Sequence, residues 1–387
     1  MIIVIADDIT GAAEIAGLGH DYGLSTVLLT QIPNSLPSCQ LLVLATDTRS
    51  MPEEKALAET QSLCQQLRPI LHTTDERIIL FKKVDAWVRG HVVGELQAVL
   101  DHTAYQQAFY MPANPSRAQI IRGGCYYVDG EPLDQTQYAL IADFPAVTAS
   151  ICLRLQITPQ SRIRVPDAVT PEDVRQIVMQ AMQGPNLTLL AGAADLFAAL
   201  LEYQGYAPLP EHDFGGLSRE GSTLIVCGSK QSTDLSSRPF VRRRELPLHS
   251  MPLDVYEGTQ GAAYWLANIQ VRHFSRAAIQ PARNGLILNI PYASGDSVEA
   301  ALRRRTEMAD VVFALVERMC PTELIVEGGA TAFAIMQRFG WTQFEITERV
   351  SPGVVRMRSE AMGNMHFTFK PGSYPWGDAL FDWDNTI

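Results

Sequence analysis

MIIVIADDITGAAEIAG, residues 1–17, decides how the rest of the chain is read. Ile2–Ala6 is apolar without alternation, which predicts a strand buried on both faces, as in a parallel sheet. Asp7 and Asp8 close that strand, and Gly11–Tyr22 predicts a helix ending near Gly23. Two adjacent carboxylates at a buried strand end repel each other and lose hydration unless a cation or a hydrogen-bond donor meets them. In an open parallel sheet, ligands sit beyond the carboxyl ends of the strands, so the pair marks a candidate site.

The same grammar repeats downstream. Ser25–Leu29, Leu41–Thr46 and Ile78–Val84 read as strands; Pro52–Leu67 and Val92–Leu100 read as helices, with Pro52 suited to a first turn. Ala108–Met111 is a further strand, and Cys125–Val128 and Glu131–Leu133 flank Asp129-Gly130, a hairpin turn signal. Strands Arg162–Val165 and Leu187–Ala191 and helices Pro171–Met182 and Asp195–Tyr203 continue the rhythm. From Tyr206 to Gly221, Pro208, Pro210, Gly215 and Gly216 break it. A second series follows: strands Thr223–Cys227, Leu286–Ile290, Glu323–Val326, Val354–Met357 and Met365–Phe369, with helices Gly261–Ile269, Val298–Met319 and Thr331–Phe339. The prediction is an α/β protein of two α/β domains with mostly parallel sheets and an active site in the cleft between them. The boundaries are residues 1–208, a linker at 209–221, and 222–387.

The 387 residues are 47% hydrophobic and 19% charged, ample for two cores. Thirty-one basic against 42 acidic residues give a formal charge of −11, which argues against a nucleic-acid footprint and leaves small anionic substrates open. Cys39, Cys64, Cys125, Cys152, Cys227 and Cys320 form no CxxC pair, so reduced cytoplasmic thiols are expected rather than disulfides or zinc. The apolar start is short, lacks a basic flank and runs into Asp7, so it reads as a core strand and not a signal peptide. No stretch approaches ~18 uninterrupted apolar residues, and no membrane span is expected.

Three strand ends in the first half carry acids and bases: Asp7, Asp8 and Thr10; Thr46, Asp47 and Arg49; Lys82, Lys83, Asp85 and Arg89. Singly, each could be a cap or a surface ion pair, and Asp8 or Thr10 could simply cap the helix that follows. Brought together by the fold, they describe a polar ligand site. Carboxylates accept hydrogen bonds from sugar hydroxyls or take a proton from one, whereas arginine and lysine hold a carboxylate or phosphate. A small polyhydroxy acid needs both. The second half offers glycine instead: Cys227-Gly228-Ser229, Glu327-Gly328-Gly329-Ala330-Thr331-Ala332 and Lys370-Pro371-Gly372-Ser373-Tyr374. Glycines after strands let backbone amides approach a phosphate, with a helix dipole assisting. No GxxxxGK[ST] occurs, and Gly17-Leu18-Gly19 falls inside a helix, which spoils a dinucleotide reading. His20, His91 and His102 have no metal-ligand spacing, and no metal ligand is nominated. Arg242–Arg244 reads as a solvated face, and Trp265, Trp341, Trp376 and Trp383 as packing residues, with Tyr374 and Trp376 placed to flank a base.

These motifs resemble the four-carbon acid sugar kinases. ADDITGAAEIAG is similar to that family's ADDxTGA opening, and FKKVDAWVRGHVVGEL to its KxDSTLRGN segment. TDTRS, LAGAADL, VCGSKQSTD, EGGATA, SPGV and KPGS follow in the family's order, so the resemblance spans the chain. It implies an acid-sugar-binding N-terminal domain, an ATP-binding C-terminal domain, and phosphorylation of a tetronate or 3-oxo-tetronate hydroxyl with ATP and Mg²⁺. Asp8, Arg49, Lys83, Asp85 and Arg89 would bind the acid sugar, with Asp7 and Thr10 beside them and Asp8 or Asp85 as the catalytic base. Ser229, Gly328, Gly329, Thr331 and Gly372, with Ala330 between them, would bind ATP. A homodimer is compatible with this reading; no nucleic acid or membrane partner is. The sequence departs from the family where Ala86-Trp87-Val88 replaces Ser-Thr-Leu, where His91 replaces asparagine, where Ala330 replaces an acid and where KPGSYPWG replaces KSGGFG. Those departures motivate one rival, a nucleotide- or acid-binding homologue without turnover. A haloacid-dehalogenase-like phosphatase is a weaker rival, because its DxDxT motif would need an acid where Ile9 stands.

Overall fold

The computed structural model describes residues 1–73, 78–140, 144–210, 222–229, 246–269, 285–291 and 297–372. They fall into two compact units, residues 1–210 and 211–387. In the first, strands β1 (Ile2–Ala6), β2 (Thr26–Leu29), β3 (Leu41–Ala45), β4 (Ile79–Lys83) and β5 (Gln107–Met111) precede β6 (Gln119–Arg122), β7 (Cys125–Val128) and β8 (Glu131–Pro132); β9 (Ile163–Arg164) and β10 (Thr188–Gly192) follow. One sheet runs β2-β3-β1-β4-β10-β5-β9, every neighbouring pair parallel. Helices α1 (Ile9–Asp21), α2 (Glu53–Thr73), α3 (Val92–His102), α4 (Ile151–Arg154), α5 (Pro171–Gln183) and α6 (Ala194–Tyr203) complete it. Every residue of β1, β3 and β4 is buried, which explains their unbroken apolar runs. Burying one isoleucine such as Ile3 or Ile5 contributes about 1.5–3 kcal/mol, so β1 alone anchors the sheet strongly.

Register is what builds the site. Ala6 pairs with Ala45 on one side and with Lys83 on the other, so β1, β3 and β4 stop level. The residues after them therefore emerge side by side. Helix α1 lies close on this sheet because its inner face is alanine and glycine: Ala12, Ala13 and Ala16 are fully buried. A Cβ at Gly19 would lie 2.1 Å from the Leu41 side chain, so this glycine serves helix–sheet packing and not a dinucleotide.

α1 begins at Ile9, two residues before the expected Gly11, which puts Thr10 in the first turn. α2 starts at Glu53, leaving Pro52 just ahead of it, and runs past Pro69 to Thr73. The expected hairpin is present as β7 and β8, with Asp129 (φ 50°) and Gly130 (φ 87°) forming its left-handed turn. It ends at Pro132, because Leu133 starts a 3₁₀ turn. An unexpected third strand, β6, pairs with β7 across Gly123-Gly124.

In the second unit, β11 (Thr223–Cys227), β12 (Leu248–Ser250), β13 (Gly285–Asn289), β14 (Glu323–Glu327), β15 (Gln343–Ser351), β16 (Val354–Arg358) and β17 (His366–Lys370) order as β12-β13-β11-β14-β17-β16-β15. The pairs from β12 to β17 are parallel, and β16 is antiparallel to both neighbours. Helices α7 (Leu253–Glu257), α8 (Ala262–Ile269), α9 (Val298–Met319) and α10 (Gly329–Phe339) accompany them. Cys227 pairs with Glu327, and Glu327 with Lys370, so three strands again end level. Trp265 and Trp341 are buried packing residues, as expected. Residues 211–221 of the expected linker, Arg242–Arg244, Tyr374, Trp376 and Trp383 lie outside the described residues. Among the described residues no helix is long and apolar enough to cross a membrane.

Candidate functional site

The cation that meets the opening aspartates is Arg49. It follows β3, and its backbone N–H donates to the Asp7 carbonyl at 3.0 Å, fixing it beside β1. Its guanidinium forks between two carboxylates. Nε and Nη2 donate to Asp7 at 3.0 and 2.7 Å, and Nη1 and Nη2 donate to Asp8 at 2.5 and 3.0 Å. Nη1 also lies 3.6 Å from Asp85, the residue after β4 and Val84. Arg89 binds Asp85 in a bidentate fork, both contacts 2.7 Å. The fold thus gathers Asp7, Asp8, Arg49, Asp85 and Arg89 into one mutually paired cluster.

The three acids differ in what they can do. Asp8 caps α1 through a 2.7 Å hydrogen bond from the Gly11 N–H, so the capping role and a site role coincide in one side chain. Its side chain is 16% exposed, against 5% for Asp7 and 6% for Asp85. Burial raises the Asp8 carboxyl above its ordinary range, with Asp7 adding to the rise and Arg49 opposing it. Burial pushes the Asp85 carboxyl up as well, but Arg49 and Arg89 outweigh it and hold the group well below the usual carboxylate range. Asp85 also accepts from the Trp87 and Arg89 N–H groups at 3.0 and 3.2 Å, which pins the loop after β4. Asp8 is thus the most exposed of the three acids, and Asp85 the one held by the most hydrogen bonds from its own loop.

Lys83 stands one step aside. Its ammonium donates to the Val84 carbonyl at 3.0 Å and lies 3.3 Å from Glu14, which Arg117 approaches at 3.2 Å. Lys82 points to the other side of β4 and pairs with buried Glu95 at 2.7 Å. Thr10 is half-buried in the first turn of α1. Glu14, Glu95 and Arg117 are not site residues expected from the sequence; Glu14 reaches Lys83 from α1 and Glu95 reaches Lys82 from α3, while Arg117 meets Glu14. In the loop after β4, Val88 adopts a left-handed φ of 58°, a strained conformation for a β-branched residue. Trp87 stacks on Tyr138 with ring centroids 3.9 Å apart, so the indole is engaged by the chain itself.

The second rim is built on glycines set against two side-chain hydroxyls. A Cβ at Gly372 would lie 2.3 Å from the Ser229 hydroxyl, and one at Gly228 would lie 2.0 Å from that of Thr331. Gly328, at φ 106°, turns the chain from β14 into α10 and donates its N–H to the Lys370 carbonyl at 2.8 Å. Ser229, Gly328, Thr331 and Gly372 thus converge at three level strand ends. Gly329 and Ala330 open α10, with Ala330 exposed. Thr331 is buried, and its hydroxyl donates to the Gly228 carbonyl at 3.4 Å. Beneath them Lys370 and Glu327 form a wholly buried pair at 2.9 Å, and Lys370 also donates to the Pro371 carbonyl at 2.9 Å. Neither partner was nominated from sequence, although both flank the glycine motifs.

Residues 2–162 match the sugar-binding N-terminal domain family. The chain is 25% identical to the D-threonate kinase of Cupriavidus necator, over 91% of this chain and 89% of that one. It is 23% identical to the 3-oxo-tetronate kinase of Haemophilus influenzae, over 92% of each. The crystal structure of Haemophilus influenzae protein HI1011 superposes with a TM-score of 0.68 at 17% identity, over 98% of both chains, which shows a shared fold. The chain is similar over nearly its whole length to kinases of four-carbon acid sugars. Within that family's pattern, the Ala86-Trp87-Val88 departure falls on the loop pinned by Asp85, and Trp87 is turned to Tyr138. Where the kinase pattern carries an acid, Ala330 is exposed, and the acid at this rim is Glu327, three residues earlier and paired with Lys370. Among the described residues no group of three His, Cys, Asp or Glu side chains could cage a metal ion. Magnesium bound through nucleotide phosphates needs only one or two protein ligands.

Proposed function

We propose that the protein is an ATP-dependent kinase that phosphorylates a hydroxyl of a small four-carbon acid sugar. The observation that carries this reading is Asp8: an acid at the carboxyl rim of a parallel sheet, the most exposed of three, with its carboxyl raised by burial toward a useful basicity. Asp8 would take the proton of the acceptor hydroxyl as that oxygen bonds to the γ-phosphorus of ATP and the bond to ADP breaks. Phosphoryl transfer asks for positioning and charge neutralisation more than covalent chemistry, which suits a rim of charges and a rim of backbone amides. The glycine rim of Ser229, Gly328, Gly329, Ala330 and Gly372 would receive the nucleotide phosphates, with Thr331 and the Lys370–Glu327 pair holding its shape. Mg²⁺ would arrive with the nucleotide and neutralise charge on the transferred group.

A phosphatase reading loses ground on geometry. Ile9 is 1% exposed inside α1 and stands where that chemistry needs its second acid, so a nucleophilic Asp7 would have no acid partner. The test is ATP-dependent ADP release on D-threonate, D-erythronate and 3-oxo-tetronates. Turnover on one of them is expected. Nucleotide binding with no ADP release on the whole panel would replace the kinase by a binding homologue.

A further inference from the structure

The paired cluster leaves a question about the acceptor. Asp7, Asp8, Asp85 and Glu14 face Arg49, Arg89, Lys83 and Arg117, and every base is engaged by an acid of the set. An incoming carboxylate would have to break one of these pairs or find another cation. Three unmet donors stand nearby. Tyr110, the penultimate residue of β5, and Tyr126, in β7, are both 0% exposed, and neither hydroxyl has a partner among the described residues. The Nη1 group of Arg154, at the end of α4, is equally shielded and equally without a partner, while its Nη2 donates to the Phe144 carbonyl at 2.9 Å. Buried donors left unmet are costly and rare, and three together need an explanation.

The backbone ties these donors to the site. Tyr126 donates its N–H to the Ala149 carbonyl at 2.8 Å, and Ile151 donates to Gly124 at 3.1 Å, so the start of α4 is laced to the hairpin. Phe144, which accepts from Arg154, packs edge-on against His91 in the loop after β4 at 5.9 Å. The charges agree. Burial and then Asp85 push both tyrosine hydroxyls well above their ordinary range, so they stay protonated and can only donate or accept as neutral phenols. Burial lowers the Arg154 guanidinium, and Tyr110, Asp85 and Arg89 all act on it. Asp85 is not their missing acceptor, for it already takes four hydrogen bonds from Trp87 and Arg89.

We propose that Arg154, Tyr110 and Tyr126 form the subsite for the carboxylate of the acceptor, a guanidinium and two phenols converging on one planar anion. A carboxylate offers two oxygens and about four lone-pair sites, which matches a guanidinium edge plus two hydroxyls. Arg154 is half-buried and held by one hydrogen bond, so it is the member able to swing onto the anion. This rests on the acid-sugar reading above, and deepens it: selectivity for an acid over a neutral polyol comes from Arg154, and the Arg49 and Arg89 forks serve the aspartates.

The test uses the full chain and two probes, D-threonate and threitol, which lacks the carboxylate. Arg154→Met is expected to raise the Kd and KM for D-threonate about 10–100-fold, the loss of a charge-assisted hydrogen bond. Its ATP KM and Tm should be unchanged, and the preference for the acid over threitol should collapse. Arg154→Lys should restore part of it, and Tyr110→Phe and Tyr126→Phe should each weaken D-threonate without affecting threitol. An Arg154→Met Kd within twofold of the parent overturns the subsite and leaves the kinase reading standing. D-threonate binding by the parent without ADP release does the reverse. A parent that binds no member of the four-carbon panel overturns both.

Discussion

The two rims solve one problem, placing polar chemistry at the end of a buried parallel sheet, with opposite materials. In residues 1–210 the rim is side chain: three aspartates and two arginines that neutralise one another within 3.6 Å. In residues 211–387 it is built on glycines: a methyl at Gly228 would meet the Thr331 hydroxyl at 2.0 Å, and one at Gly372 the Ser229 hydroxyl at 2.3 Å. A charge cluster is sensitive to deletion, because each lost partner strands another. A backbone cradle is sensitive to addition, because its shape is its function. The two should therefore fail differently when mutated, and each variant below either sharpens that contrast or breaks it.

Asp8→Asn should give the largest effect. A positioned proton acceptor contributes about 10²–10⁴-fold, and kcat should fall by that factor while ATP KM holds. The fold should survive with an unchanged or slightly higher Tm, because burial already disfavours the charged form of Asp8. Asp85→Asn should do the opposite, costing stability before catalysis. The pH signs follow. The Asp85 carboxyl is depressed on folding, so its stabilisation is present above its ordinary value of 3.8 and is lost as pH falls below it. The Asp8 carboxyl is raised, so its contribution is greatest below 3.8 and is lost as pH rises through its folded value. The acidic limb of kcat/KM should then lie above 3.8, and Asp8→Asn should abolish that limb along with the rate. A normal limb in the variant would assign the proton elsewhere.

Arg49→Met comes next. Removing one partner of a buried ionic cluster leaves uncompensated charge and costs about 3–5 kcal/mol. Denaturant unfolding should show that loss at neutral pH, shrinking as pH falls and Asp8, whose carboxyl burial raises, takes up a proton. An equal loss at lower pH would mean that Arg49 stabilises by packing and not by charge. In the other rim, Gly372→Ala should leave acid-sugar binding intact and lower kcat/KM for ATP by roughly 100-fold, the cost of displacing a loop by about an ångström. Were it to lower acid-sugar affinity instead, the division of labour between the rims would be wrong.

Much of this was legible because parallel strands buried on both faces write themselves as unbroken apolar runs: Ile2–Ala6, Leu41–Ala45 and Thr223–Cys227 could hardly be anything else. β15, QFEITERVS, escaped because it is polar along much of its length, although Phe344 and Ile346 are buried between exposed Gln343 and Glu345 and carry the alternation of a half-buried strand. β6 escaped although Gly123-Gly124 offered a turn signal. The site was legible as residue types at strand ends. Apart from the local Asp85–Arg89 pair its pairing was not, since Arg49 meets Asp7 and Asp8 through the β1–β3 register and across 41 or 42 residues of sequence. Arg49, expected as a hand for the substrate, is held here by four hydrogen bonds to Asp7 and Asp8, and no composition or spacing rule reports that pairing.

Thr331 gives the smallest and most discriminating test of the glycine rim. As a nucleotide ligand it would need a hydroxyl facing out; the side chain is 1% exposed and turned to the Gly228 carbonyl at 3.4 Å. That is a long bond across two strand ends, worth about 1 kcal/mol or less when the partner is a carbonyl with another lone pair to use. Thr331→Val keeps the shape and deletes the donor, so unfolding should cost about that much and ATP KM should move less than threefold. Thr331→Ser keeps the donor and opens a methyl-sized void beneath Gly228, costing a comparable ~1 kcal/mol by packing alone. If Thr331→Val alone raised ATP KM tenfold or more, the hydroxyl would reach the nucleotide by rotating out, and one side chain of the second rim would have to be counted with its backbone.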